Sequence, residues 1–342
     1  MSGKHTILLF RFGAIGNALV AVPAIRAIRK GMPDARLVLV GDPLTLDLLE
    51  GCPYIDETVR YDSKGPERAG PGYLRFIGKL RSFRPTHAVH FKRYLRSELM
   101  GFLSGAPVRV GFETDERIQL INRKVVYEEG ESVIEQNLKL ARALGIDADG
   151  RALEIWPHRE SEKVDSIVSS LSGAGPLVVI HPAGATQKES LWPHFAELGM
   201  LLRKNLDARV VMTGSGGERG LVEESAQKMD PPAAVAVGLP IREAAELIRR
   251  ADLFCGTDSG PAHIADAAGT PGAIIYAPHK GMTDQLEKWK PEGEGYVAFT
   301  PETDCDDCGE YPCPSEKRAE CASDIDPAEV AKALKLLYHG GQ

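Results

Sequence analysis

Short apolar segments of strand length take turns with amphipathic helix patterns twice along this chain, and that double alternation is the strongest constraint on its fold. In the first series Thr6–Arg11 reads as a buried strand, Asn17–Lys30 as a helix with apolar spacing and Arg36–Val40 as a second strand. Strand patterns follow at Glu57–Tyr61, His87–Phe91 and Val108–Gly111, with helix patterns at Tyr73–Phe83 and Val133–Leu144. A helix pattern at Glu160–Leu171 then runs into Ser-Gly-Ala-Gly-Pro, which reads as an interdomain connection. The second series has strands at Pro176–His181, Ala208–Thr213, Ala234–Val237, Asp252–Cys255 and Gly272–Tyr276. Helix patterns at His194–Lys204, Glu218–Lys228, Arg242–Arg250 and Gly260–Ala268 separate them. Two such series imply an α/β protein of two doubly wound parallel-sheet domains, read here as 1–158 and 159–342, with ligand bound between them.

Length and composition agree and exclude several classes. With 342 residues, 43% of them hydrophobic, the chain has enough for two cores. Its longest apolar runs, such as Thr6–Phe10 and Leu177–Ile180, are strand-sized and far short of the roughly 20 residues that cross a bilayer. The N-terminus does not resemble a secretion signal, so the expected location is the cytoplasm. A net charge of −7 argues against a general nucleic-acid binder, but the charge is uneven: 22 Lys and Arg face 18 Asp and Glu up to residue 150, and 19 face 30 beyond it. Arg81, Arg84, Lys92, Arg93, Arg96 and Arg109 crowd the first half, a pattern that fits either a solvated face or an anionic partner.

The segment "ADLFCGTDSGPAHIADAAGTPGAIIY" (251–276) concentrates the chemistry. An apolar strand delivers Thr257 and Asp258 to the ligand edge of the second sheet, and Ser259 stands where it can cap a helix opening with Gly260 and Pro261. Such a helix start favours a phosphate. A carboxylate in the same loop repels phosphate, so Asp258 suits sugar or ribose hydroxyls, and the pairing suggests a nucleotide-sugar. Two plainer readings stay open: Asp258 and Ser259 as helix caps, and His263 as a packing residue.

This segment resembles the donor-site signature of the heptosyltransferases, glycosyltransferase family nine. The opening "ILLFRFGAIGNALVAVPAIRAIRKGMPDARLVLVG" is similar to the family's N-terminal strand, glycine loop and helix, and "VVIHPAGATQKESLWPHFAELGMLL" and "VVMTGSGGERGLVEES" to its next two loops. The resemblance implies a GT-B fold of two Rossmann-like domains facing a cleft, an inverting transfer without a catalytic cofactor, and ADP-heptose as donor. It implies that Thr186 and Lys188 lie near the diphosphate, Gly214, Gly216 and Glu218 near the nucleoside, and Asp258, Ser259, Gly260 and His263 around sugar and phosphates. Lys188 stands four residues before Trp192, whereas the family's lysine precedes the Trp by two, where this chain has Ser190.

The sharper departure is Asn17. Family members carry Asp there as the general base, and an amide cannot take a proton at ordinary pH. Either another group, such as a carboxylate or His90, serves, with Asn17 orienting the acceptor or merely opening the helix, or the chain is a catalytically silent nucleotide-sugar or glycolipid binder; a further reading is another GT-B enzyme such as an epimerase. Basic Arg93 and Arg96 are the candidate contacts for an anionic glycan or lipopolysaccharide-like acceptor at the cytoplasmic face of the inner membrane. Finally, Cys305, Cys308, Cys313 and Cys321 form a C-x2-C-x4-C-x7-C loop (305–321) ahead of a C-terminal helix, spaced for one structural zinc or iron, or else free thiols. Cys52 and Cys255 read as buried apolar residues.

Overall fold

The computed structural model describes residues 5–115, 118–157, 160–184, 192–276, 282–293, 295–301 and 322–340, the side chains of 282–285 excepted. The chain divides into two compact units, Met1–Trp156 and Pro157–Gln342.

The first unit holds a six-stranded sheet built from β1 (Thr6–Arg11), β2 (Arg36–Gly41), β3 (Glu57–Arg60), β4 (His87–His90), β5 (Val108–Phe112) and β6 (Arg123–Val125). Its order is β3-β2-β1-β4-β5-β6 and every pairing is parallel. The central strand β1 is buried along its whole length, because helices cover both faces of a parallel sheet and leave it no solvent side. Leu8, Phe10, Val38, Val40 and Ala88 meet in one core cluster.

The second unit repeats the plan with β7 (Leu177–His181), β8 (Arg209–Gly214), β9 (Ala234–Val237), β10 (Leu253–Thr257), β11 (Gly272–Ile275) and β12 (Tyr296–Phe299). The order β12-β11-β10-β7-β8-β9 is again all parallel. Trp192 and Phe195 pack on Val178, Ile180, Val210 and Met212, and the Trp192 indole N–H donates to the Ile325 carbonyl at 3.0 Å. Burial of a side chain this size makes truncation cost about 3–5 kcal/mol, so Trp192 anchors the start of the following helix, Phe195–Leu206, to the body of the unit.

The expected helix over Asn17–Lys30 is two helices, Ile15–Leu19 and Val22–Gly31. Pro23 has no N–H to give the carbonyl of Leu19, and so belongs in the first turn of a new helix rather than inside a continuous one. Strands β6 and β12 and the helices Pro43–Leu48, Leu95–Leu103 and Met282–Trp289 lie outside the sequence expectation. Both strands are short and lie at sheet edges; Arg123–Val125 is mostly basic, and the apolar Tyr296–Phe299 is only four residues long.

Candidate active site

In each unit the strand order reverses beside the first strand, between β1 and β4 and between β7 and β10. At such a reversal the flanking loops part and leave a crevice at the carboxyl ends of the strands. Of the sequence-derived site residues, Glu218, Asp258 and Ser259 follow strands of the second unit and Asn17 follows β1 of the first.

In the second unit, β7 ends in His181, which is buried between two neighbouring loops. Its Nδ1 lies 3.3 Å from Ser259 Oγ and its Nε2 lies 3.6 Å from Glu218 Oε2. Ser259 sits at the N-cap position of helix Gly260–Ala268 but makes no side-chain cap, because its hydroxyl is turned to His181 and to the Thr257 carbonyl at 3.1 Å. The capping reading of Ser259 is therefore corrected: the buried imidazole competes for the hydroxyl. At the helix mouth Pro261 has no N–H and Ala262 N–H is taken by the Ser259 carbonyl, which leaves Gly260 as the first-turn amide there.

Glu218 closes the loop after β8. Its Oε2 accepts the Ser215 N–H at 2.6 Å in a capping box, and the same oxygen faces His181. Contact with His181, and then with Ser215, holds this carboxyl down at about 2 despite partial burial. Gly214 is required by close approach: a Cβ there would stand 2.7 Å from Val222 and 3.3 Å from Glu218. Gly216 is exposed with open space around it, so backbone is what it offers a ligand.

Asp258 follows β10, its N–H on the Ile275 carbonyl at 3.2 Å and its carboxylate without a hydrogen bond among the described residues. Burial pushes its carboxyl up to about 6. Next to it Tyr276 is buried with its hydroxyl unpartnered, and the phenol is driven above its usual range by burial first and by the Asp258 charge after it. A desolvated carboxylate beside an unpaired phenol is a place where ligand hydroxyls can complete the hydrogen bonding. His263 is buried against Trp289, ring centroids 5.7 Å apart, and burial pulls its imidazole down to about 4, so it is neutral at physiological pH. Thr186, Lys188 and the cysteines Cys305, Cys308, Cys313 and Cys321 lie outside the described residues. Among the described residues no group of three His, Cys, Asp or Glu side chains is set to hold a metal ion. Cys52 and Cys255 are buried thiols, both pushed up by burial.

In the first unit, β1 ends in Arg11, only 2% exposed. Its guanidinium donates to the Asn17 carbonyl at 2.6 Å, the Asn17 Oδ1 at 2.8 Å and the Phe91 carbonyl at 2.8 Å. His90 is excluded as a base: it is 1% exposed, stacked on Phe10 at 4.8 Å with both ring nitrogens unpartnered, and burial pulls it down to about 3. Of the basic cluster, Arg96 is engaged by the Tyr61 hydroxyl and the Arg68 carbonyl, both at 2.9 Å. Arg93 is exposed, lies over the Tyr127 ring at 4.2 Å and stands 3.5 Å from Glu129.

Sequence reasoning missed Arg11, His181 and Tyr276. Each ends an otherwise apolar parallel strand or directly follows one, and a polar side chain in that place is delivered to the ligand edge. His90 obeys the same pattern and is a core residue, so the signal is useful but not sufficient.

Two doubly wound parallel-sheet units are the architecture of the GT-B class of glycosyltransferases. Residues 73–319 match the model of glycosyltransferase family 9 (heptosyltransferase), and the chain belongs to that family of glycosyltransferases. It is 25% identical over 296 residues to lipopolysaccharide heptosyltransferase 3 of Escherichia coli, covering 83% of this chain and 85% of that one. In fold it is similar to a family 9 glycosyl transferase from Veillonella parvula, with TM-score 0.86, 17% identity and 99% of both chains covered. It is also similar to the E. coli ADP-heptose lipopolysaccharide heptosyltransferase II, with TM-score 0.78, 20% identity and 98% of this chain and 99% of that one covered.

Proposed function

We propose that the protein transfers heptose, or a closely related sugar, from ADP-heptose to a lipopolysaccharide core or similar glycan, with inversion and without a catalytic metal. The second unit (159–342) binds the donor and the first (1–158) reads an anionic acceptor, met at the cytoplasmic face of the inner membrane. The observation that carries the reading is Asp258: a half-buried carboxylate with no hydrogen-bond partner among the described residues, beside the Gly260 helix start, in a chain of the heptosyltransferase family. In the reaction an acceptor hydroxyl attacks the anomeric carbon, the bond from that carbon to the diphosphate breaks, and the electron pair leaves with ADP. Thr186, Lys188 and the Gly260 amide take the charge that grows on the diphosphate, Asp258 holds sugar hydroxyls, and Gly214 and Gly216 let the nucleoside approach the backbone. A structural zinc or iron in the 305–321 loop fits this scheme, since it takes no part in transfer.

The test is ADP release from ADP-heptose with a lipopolysaccharide-core acceptor in excess chelator, required to depend on the acceptor. A second reading, a silent sugar-nucleotide binder, is favoured by one contact: the Asn17 Oδ1 is consumed by Arg11. Wild type inert with an active Asn17→Asp variant selects that second reading.

A further inference from the structure

The glycine turn after β1 lies between two polar side chains that the mechanism above leaves unassigned. Arg11 can only donate, so its contact at 2.8 Å fixes which end of the Asn17 amide is oxygen. The Nδ2 end is then turned toward Gly13, where a Cβ would lie 3.4 Å from it, and Gly13 holds φ +126°, a conformation that favours glycine. From the other side the Asp42 Oδ2 accepts the Gly13 N–H at 2.7 Å. Asp42 Oδ1 accepts the Thr45 N–H at 2.9 Å, and the residue is half-buried. A carboxylate has about four acceptor sites, so each oxygen keeps one unused by the described residues. Arg11 has no carboxylate in hydrogen-bond contact among the described residues, and Asp42 is the charge that offsets its burial.

We propose that Asp42 is the general base of the transfer, with Asn17 donating from Nδ2 to orient the acceptor hydroxyl. The carboxylate that family members carry at position 17 is here replaced, and its work is moved across the Gly13 turn to the end of β2. In the step, the acceptor O–H proton passes to Asp42 as the oxygen bonds to the anomeric carbon and ADP leaves with the electron pair of the broken bond; Asp42 then returns the proton to water. This inference rests on the transferase reading above.

The experiment compares wild type, Asp42→Asn, Asn17→Asp and the double variant by steady-state transfer from ADP-heptose, with thermal melts alongside. Asn keeps its one acceptor oxygen for the Thr45 amide and gives up the Gly13 N–H bond, a loss that the melts read separately from the rate. Loss of a general base lowers kcat by about 100-fold or more with donor and acceptor KM nearly unchanged. Adding Asn17→Asp to Asp42→Asn should return at least about tenfold, since a base is again on the turn. An Asp42→Asn enzyme with full rate overturns the base and leaves the transferase reading standing. A folded, inactive Asp42→Asn that Asn17→Asp does not revive, or one that melts early in proportion to its lost rate, makes Asp42 a structural residue and overturns it too. Wild type inert with every acceptor defeats the transferase reading and the base with it.

Discussion

Replacing Asp258 by Asn should make the ligand-free protein more stable at neutral pH and a far poorer enzyme. Burial raises this carboxyl from 3.8 to about 6. At 1.36 kcal/mol per unit, that rise of about two units caps the cost of keeping Asp258 ionised at about 3 kcal/mol, and water reaching a partly exposed group trims it to about 1–2 kcal/mol. The sign follows from linkage: the folded state binds the proton more tightly than the unfolded chain, so the penalty is absent below about pH 4, grows between about 4 and 6, and is complete above 6. Asn carries no charge and escapes the penalty. At about 2–4 °C per kcal/mol for a domain of this size, Asp258→Asn should melt several degrees above wild type at pH 7.5 and level with it near pH 4. Transfer should fall tenfold or more, because a charged hydrogen bond to sugar hydroxyls contributes about 1.5–3 kcal/mol. Melting curves across pH 4–8 with parallel rate measurements decide it. A variant that melts early at every pH and keeps its rate refutes the reasoning.

ADP should bind the protein with unchanged affinity in excess chelator, read by calorimetry, because helix amides and Lys188 rather than a divalent cation take the charge in this account; binding lost on chelation by a still-folded protein contradicts it. Glu218→Gln should lower the melting temperature at neutral pH and not near pH 2, since a carboxyl held at about 2 adds stability above its unfolded value that is lost as pH falls through 2. Arg93→Glu should raise the acceptor KM well above any change in donor KM, and added salt should imitate it in wild type; equal use of a neutral glycan at low and high salt counts against an anionic acceptor.

The strands were legible because a parallel sheet covered on both faces writes itself as a continuous apolar run, as in Thr6–Arg11 and Leu177–His181. The edge strand Arg123–Val125 carries no such run, and Tyr296–Phe299 is an apolar run of only four residues that stays partly exposed; the pairing with β5 and β11 defines both. Asp258 stands out as a candidate from its loop alone because its neighbours in sequence are its neighbours in space. His181 could not, since its partners Ser259 and Glu218 come from other loops, Ser259 being 78 residues away. The same holds for Asp42, which meets Gly13 across 29 residues. His90 shows the converse: its place at a strand end suggested a base, and burial against Phe10 removes it from solvent.

The anomeric configuration of the product tests the central claim most directly. With ADP-heptose and a lipopolysaccharide-core acceptor in chelator, nuclear magnetic resonance of the purified product should show one new glycosidic bond of configuration opposite to that of the donor, together with one equivalent of ADP. Retained configuration, or ADP with free heptose and unmodified acceptor, contradicts the account.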